Sequence, residues 1–257
     1  MMNRKILVIA VFIWLALPQA ALAQKAFHHL SIGAGGGTDG ARIELATTLG
    51  PYVQLRAGVG KAVGILSYKM DGISVPIHPG NPAYGSTSVP LTLRTGMHDG
   101  HVLFNIHPGR TAFHFTLGTY LGSGCCINGE LTALPADYST VGVNVDGYLV
   151  KARDGVLKTA LYAPGVGTSS FAVKPYFGIG FGRALRIDRR MSFSIDLGAQ
   201  YQGKTAIWAL GESITGRTKM VAVPTDALGS LAEKVEPMTR WLVVWPVLNA
   251  HFYVRLF

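Results

Sequence analysis

Leu248-Asn249-Ala250-His251-Phe252-Tyr253-Val254-Arg255-Leu256-Phe257 decides how the rest of the chain is read. Its even positions are Leu, Ala, Phe, Val and Leu, and its odd positions are Asn, His, Tyr, Arg and Phe. Successive side chains of a strand point to opposite faces. One face is therefore apolar and the other mostly polar. The length is close to the roughly 9–11 residues that a tilted strand needs to cross a bilayer.

Working outward, the same alternation recurs. Phe113, Phe115, Leu117, Thr119 and Leu121 oppose His114, Thr116, Gly118, Tyr120 and Gly122. Phe193, Ile195, Leu197, Ala199 and Tyr201 oppose Ser192, Ser194, Asp196, Gly198 and Gln200. Weaker versions begin at Leu30, Ile43, Val53, Val102, Val141, Leu157 and Pro175. Ala152-Arg153-Asp154-Gly155 reads as a hairpin turn, because Asp-Gly tolerates the positive φ angles of tight hairpins. The pattern predicts an all-β fold: an antiparallel transmembrane up-and-down β-barrel. The best count is ten strands. Eight result if residues 139–162 form an external hairpin, and twelve if Val89 to Arg94 also pairs within the membrane.

Short connections at 49–52, 108–111, 151–155 and 185–190 alternate with longer ones at 61–100, 123–138, 163–173 and 203–246. That asymmetry is expected of barrels with periplasmic turns and extracellular loops. Thr225 to Glu236 has helical spacing of Leu228, Leu231 and Val235, and Pro237 stops it, so one short loop helix is expected there. Trp241 and Trp245 precede the last strand and are candidate interface anchors, since Trp favours membrane–water boundaries.

Residues 1–23 read as a secretory signal peptide, with Arg4 and Lys5, an apolar core from Ile6 to Leu17, and Ala21-Leu22-Ala23 before the cleavage point. Residues 24–257 would then be one barrel domain in the cell outer membrane. The chain is 49% hydrophobic and 14% charged. No run after the signal is long enough for a spanning helix. A barrel reconciles the two by spreading apolar residues over every second position. The formal charge is +9, or +7 once Arg4 and Lys5 leave with the signal. The basic residues are scattered singly, which argues against nucleic acid and fits contact with anionic lipid head groups.

The polar face holds the candidate site. It carries Arg42, Glu44, Arg56, Asp196 and Arg255, with His29, His114, His251, Tyr120, Tyr176 and Tyr253. In a narrow barrel such charges must pair or meet water. They make either a polar plug or a solute path lined by Arg42, Arg56 and Arg255 that would favour anions. Strand number separates these, since wide barrels leave channels and narrow ones fill with side chains. The main functional expectation is a structural role, or passive transport or binding through lumen and loops.

No catalytic residue is assigned. A lipid-modifying enzyme could draw on Ser192, Ser194, Asp196 and His114, but nothing in the sequence brings them together as nucleophilic catalysis requires. A surface adhesin working through the long loops is a further alternative. No metal or cofactor is predicted. The eight histidines are scattered, and Gly33–Gly40 lacks the Lys-Ser/Thr of a phosphate loop. Cys125 and Cys126, the only cysteines, form a loop detail, a vicinal disulfide or a bond to a second chain.

Phe27-His28-His29-Leu30, Leu55-Arg56-Ala57-Gly58, Phe113-His114-Phe115-Thr116-Leu117-Gly118, Pro175-Tyr176-Phe177-Gly178-Ile179-Gly180-Phe181-Gly182 and the ending from Pro246 to Phe257 make the chain resemble uncharacterised small outer-membrane β-barrel proteins of Gram-negative bacteria. The resemblance covers most of the mature chain and rests on strands and turns. It implies a monomer, outer-membrane lipids and the barrel assembly machinery as partners, and no particular activity. Phe257 departs from the pattern, because it lies in phase with Arg255 and Tyr253. Either a bulge restores its phase or it turns inward.

Overall fold

The computed structural model describes residues 27–62, 67–78, 81–140, 142–168, 171–224 and 242–257. Eight strands close a barrel. They are β1 (Leu30–Gly37), β2 (Gly40–Thr48), β3 (Val53–Lys61), β6 (His98–Ile106), β7 (Phe113–Gly122), β12 (Ala172–Gly182), β13 (Met191–Tyr201) and β16 (Val244–Arg255). Each pairs antiparallel with its sequence neighbour in this set, and β16 closes on β1 with Ala34 opposite Phe252 and Gly33 opposite Tyr253. Ile43, Leu45, Leu117, Phe177, Leu197 and Phe252 stand exposed outside, while Arg42, Glu44, Arg56, His114, Asp196 and His251 are buried inside. Away from strand ends, the outward positions of the described barrel strands carry no charged side chain.

The expected ten strands become eight. The missing pair lies in a second sheet, built from β4 (Ser67–His78), β5 (Asn81–Thr95), β8 (Cys125–Leu131), β9 (Val143–Val145), β10 (Tyr148–Val150), β11 (Leu157–Tyr162), β14 (Ala206–Ser213) and β15 (Thr218–Ala222). All three long connections contribute to it. β5 pairs with β8, and β11 bridges β8 and β14. Strands β9 and β10 have three residues each, far short of a membrane crossing. Their Val145 and Val150 pack with Ala209 and Val221 of the same sheet. Alternation marks a half-buried strand, but a soluble core and a lipid phase satisfy it equally well. The turn at Asp154-Gly155 therefore belongs to this loop-end sheet, not to the opposite rim. Val89 to Arg94 lies there too, within β5, which removes the twelve-strand alternative.

The predicted helix over 225–236 lies outside the described residues. Among the described residues the one α-helical segment is α1 (Asp137–Thr140), which lies against the loop-end sheet through the Tyr138 hydroxyl on the Pro76 carbonyl at 2.8 Å. Residues 1–26, with the expected signal peptide, and Trp241 also fall outside. Phe257 follows the end of β16 and is exposed, so it does not turn inward. Its carbonyl accepts from the Leu30 amide at 3.2 Å.

Candidate functional site

Period two puts Arg42 and Glu44 of β2, Arg56 of β3, His101 of β6, His114 of β7, Asp196 of β13 and His251 and Tyr253 of β16 on the inner wall, and all are buried. Arg56 is the hub. Its Nε donates to Glu44 Oε1 at 3.0 Å and its Nη1 to Asp196 Oδ2 at 2.8 Å, so one guanidinium spans the lumen between β2 and β13. Glu44 also accepts from His101 Nε2 at 2.8 Å and from the Tyr253 hydroxyl. A second cluster lies nearer the loop end. Arg42 Nη2 reaches Asp39 Oδ2 at 2.5 Å, and Nη1 reaches Asp99 Oδ1 at 3.1 Å and His101 Nδ1 at 3.0 Å. The Arg42 guanidinium also sits 4.7 Å from the centre of the Tyr120 ring. His101 thus joins the two clusters. Arginine only donates, so Nδ1 accepts from Arg42 while Nε2–H donates to Glu44.

His114 differs. Its Nε2 lies 2.8 Å from Asp196 Oδ1 and its Nδ1 lies 3.4 Å from the Ala112 carbonyl oxygen. Both partners are acceptors. Arg42 pairs with Asp39 and Asp99, and Arg56 with Glu44 and Asp196. An interior remote from water tolerates this many charges only when they pair.

The large interior side chains fit because the positions beside them on the neighbouring strand are glycine. A Cβ on Gly180 would overlap the His114 ring, and one on Gly198 would overlap the Tyr176 hydroxyl. Gly180 is one of the glycines that alternate with Phe177, Ile179 and Phe181 in the sequence, and Gly198 lies opposite them on β13. Their spacing signalled a strand, but the side chains they accommodate could not be read from it.

Both ends are closed. At the loop end, Leu103, Tyr120, Tyr176, Trp245 and Val247 of the barrel form one apolar cluster with Cys126, Ile127, Leu161 and Ile207 of the second sheet. Trp245 is in phase with Val247 and His251 and packs in this cluster on the inner face of the barrel. At the turn end, the connection at 183–190 folds inward and buries Ala184 and Leu185. Gln54 grips it, donating to the Leu185 carbonyl at 2.6 Å and accepting from the Ala184 amide at 3.1 Å. Arg255 joins this closure: its guanidinium donates to the Ile187 carbonyl, which holds it at the rim, apart from the ion network. Near the same rim, burial, aided by Arg183 and His114, pushes the His107 imidazole down to about 4.

Ser194 and His114 both contact Asp196, but the hydroxyl faces the carboxylate at 3.4 Å and the imidazole does not stand between them. A nucleophile needs a base at its own proton, and here the acid occupies the middle. Ser192 donates instead to the Ala184 carbonyl at 3.2 Å. Cys125 and Cys126 are free, buried thiols, and burial pushes Cys126 up to about 11. Cys126 packs in the loop-end seal with its thiol on the Leu161 carbonyl. No group of His, Cys, Asp and Glu suited to a metal ion occurs among the described residues.

No family model matches the chain, and no curated protein matches it. Among solved structures it is similar to Acinetobacter baumannii CarO2, at 16% identity and a TM-score of 0.48 over 88% of this chain and 98% of that one. It is also similar to A. baumannii CarO, at 15% identity and a TM-score of 0.42 over 88% of this chain and 96% of that one. A major outer membrane protein from Thermus thermophilus follows, at 15% identity and a TM-score of 0.36 over 89% and 98% of the two chains. Likenesses at this level carry no argument about function.

Proposed function

We propose that this is an integral outer-membrane protein whose barrel is a sealed anchor and whose loop-end sheet is the surface presented outside the cell. The observation that supports it most is the inversion of the barrel: apolar and uncharged outside, paired charges inside. Only a lipid surround makes that arrangement favourable, since water would leave the exterior unsatisfied and the interior charges needlessly desolvated. Strands β12, β13 and β16, of 11, 11 and 12 residues, are long enough to span. Binding, then, belongs to the loop-end sheet and the rims. The protein acts as a monomer in contact with outer-membrane lipids and is inserted by the barrel assembly machinery. A planar-bilayer recording tests this reading. The expected result is no stepwise conductance from heat-modifiable, folded protein. Discrete anion-selective steps would replace the sealed anchor with a pore.

A further inference from the structure

At the turn end, an open cavity of about 870 Å³ runs along residues 181–193. Two chemistries meet in it. Phe181, Phe193 and Phe252 stand on the outer faces of three adjacent strands and are exposed, with the Phe193 and Phe252 ring centres 4.8 Å apart. Arg183, Arg186 and Arg189 line the same cavity from the connection above them. Asp188 is the carboxylate among the residues that line it. Asp188 accepts from Arg186 Nε at 3.0 Å and Nη2 at 2.7 Å, and lies 3.8 Å from Arg189 Nε. Arginines thus outnumber carboxylates in the lining, at the edge of an apolar aromatic ridge. Arg183 donates to the Thr111 carbonyl at 3.1 Å, which holds its guanidinium over the rim.

We propose that this cavity binds an anionic phospholipid of the leaflet at the turn end, with its phosphate on Arg183, Arg186 and Arg189 and an acyl chain along Phe181, Phe193 and Phe252. The inference rests on the membrane-spanning reading above. Charge complementarity selects the head group, and continuity of the ridge with the apolar belt selects a lipid over a soluble anion. Arginine suits the role because its planar fork can bond two phosphate oxygens together. The connection also closes the barrel mouth, so a bound lipid would brace that closure from outside.

Native mass spectrometry of the detergent-solubilised full chain, titrated with phosphatidylglycerol or phosphatidylcholine, tests the site. The wild type is expected to retain phosphatidylglycerol preferentially. Arg186→Gln/Arg189→Gln should weaken that binding about 25-fold, about fivefold for each arginine, as about 1 kcal/mol per basic residue at an anionic surface converts. Lys151→Gln/Lys158→Gln, on the opposite end, should leave it unchanged. Equal retention of the two lipids, unchanged affinity in a heat-modifiable arginine variant, or displacement by inorganic phosphate would each overturn the lipid site. Recovery of the protein in the soluble fraction would instead overturn the membrane reading beneath it.

Discussion

Replacing Arg56 by Met removes the one cation that Glu44 and Asp196 share and leaves a side chain of similar length in its place. The bonds at 3.0 and 2.8 Å disappear, with two longer ones at 3.4 Å to Glu44 Oε2 and His251 Nδ1, in a region where Arg56 itself is 1% exposed. Breaking a buried pair by deleting one partner costs about 3–5 kcal/mol, because the remaining charge stays desolvated. Here two carboxylates lose their partner, while His101 and His114 still hold one oxygen of each. A loss of about 4 kcal/mol follows, or about a thousandfold in the unfolding equilibrium. Arg56→Met/Glu44→Gln restores charge balance and should regain part of that loss. Urea unfolding in lipid vesicles, followed by tryptophan fluorescence, measures both variants. A loss under about 1 kcal/mol, or a double variant no better than Arg56→Met, would refute the view that paired charges, rather than hydrogen-bonded polar bulk, hold the lumen together.

Two further outcomes are expected. Gly180→Ala pushes a methyl group into the His114 ring and should cost about 1–3 kcal/mol through overpacking; a neutral result in the same urea assay would mean the ring has room to move. His107 is held neutral, its pKa lowered from about 6.5 in the unfolded chain to about 4 in the fold. The unfolded state therefore binds the extra proton between those values, and the stability His107 contributes is complete above pH about 6.5 and lost as pH falls through about 4. The loss is on the order of 3 kcal/mol at most, and His107→Asn should flatten the wild-type slope across that window; parallel slopes would exclude His107 as its source.

Several features were legible before any coordinates. Arg42, Glu44, Arg56 and Asp196 share a strand face with His114 and Tyr253 by period alone, and a narrow lumen requires such charges to pair. His101 and Asp39 carry the same network without a comparable signal. Asp39 sits in a glycine-rich turn, where no alternation marks the face. A Trp near a strand end suits both a membrane boundary and a buried cluster, and Trp245 takes the buried position. Only the phase of β16, which begins at Val244, decides between them.

The sequence by itself determined that this chain makes strands with one apolar and one polar face, and which residues share each face, because a strand's side chains alternate whatever surrounds it. Only the tertiary structure decided how many strands close the barrel, that three long connections merge into one sheet over its mouth, and which charge meets which. Those depend on pairing between segments far apart in the chain, such as Arg56 with Asp196 or β5 with β8, and periodicity along one strand carries no information about its distant partner.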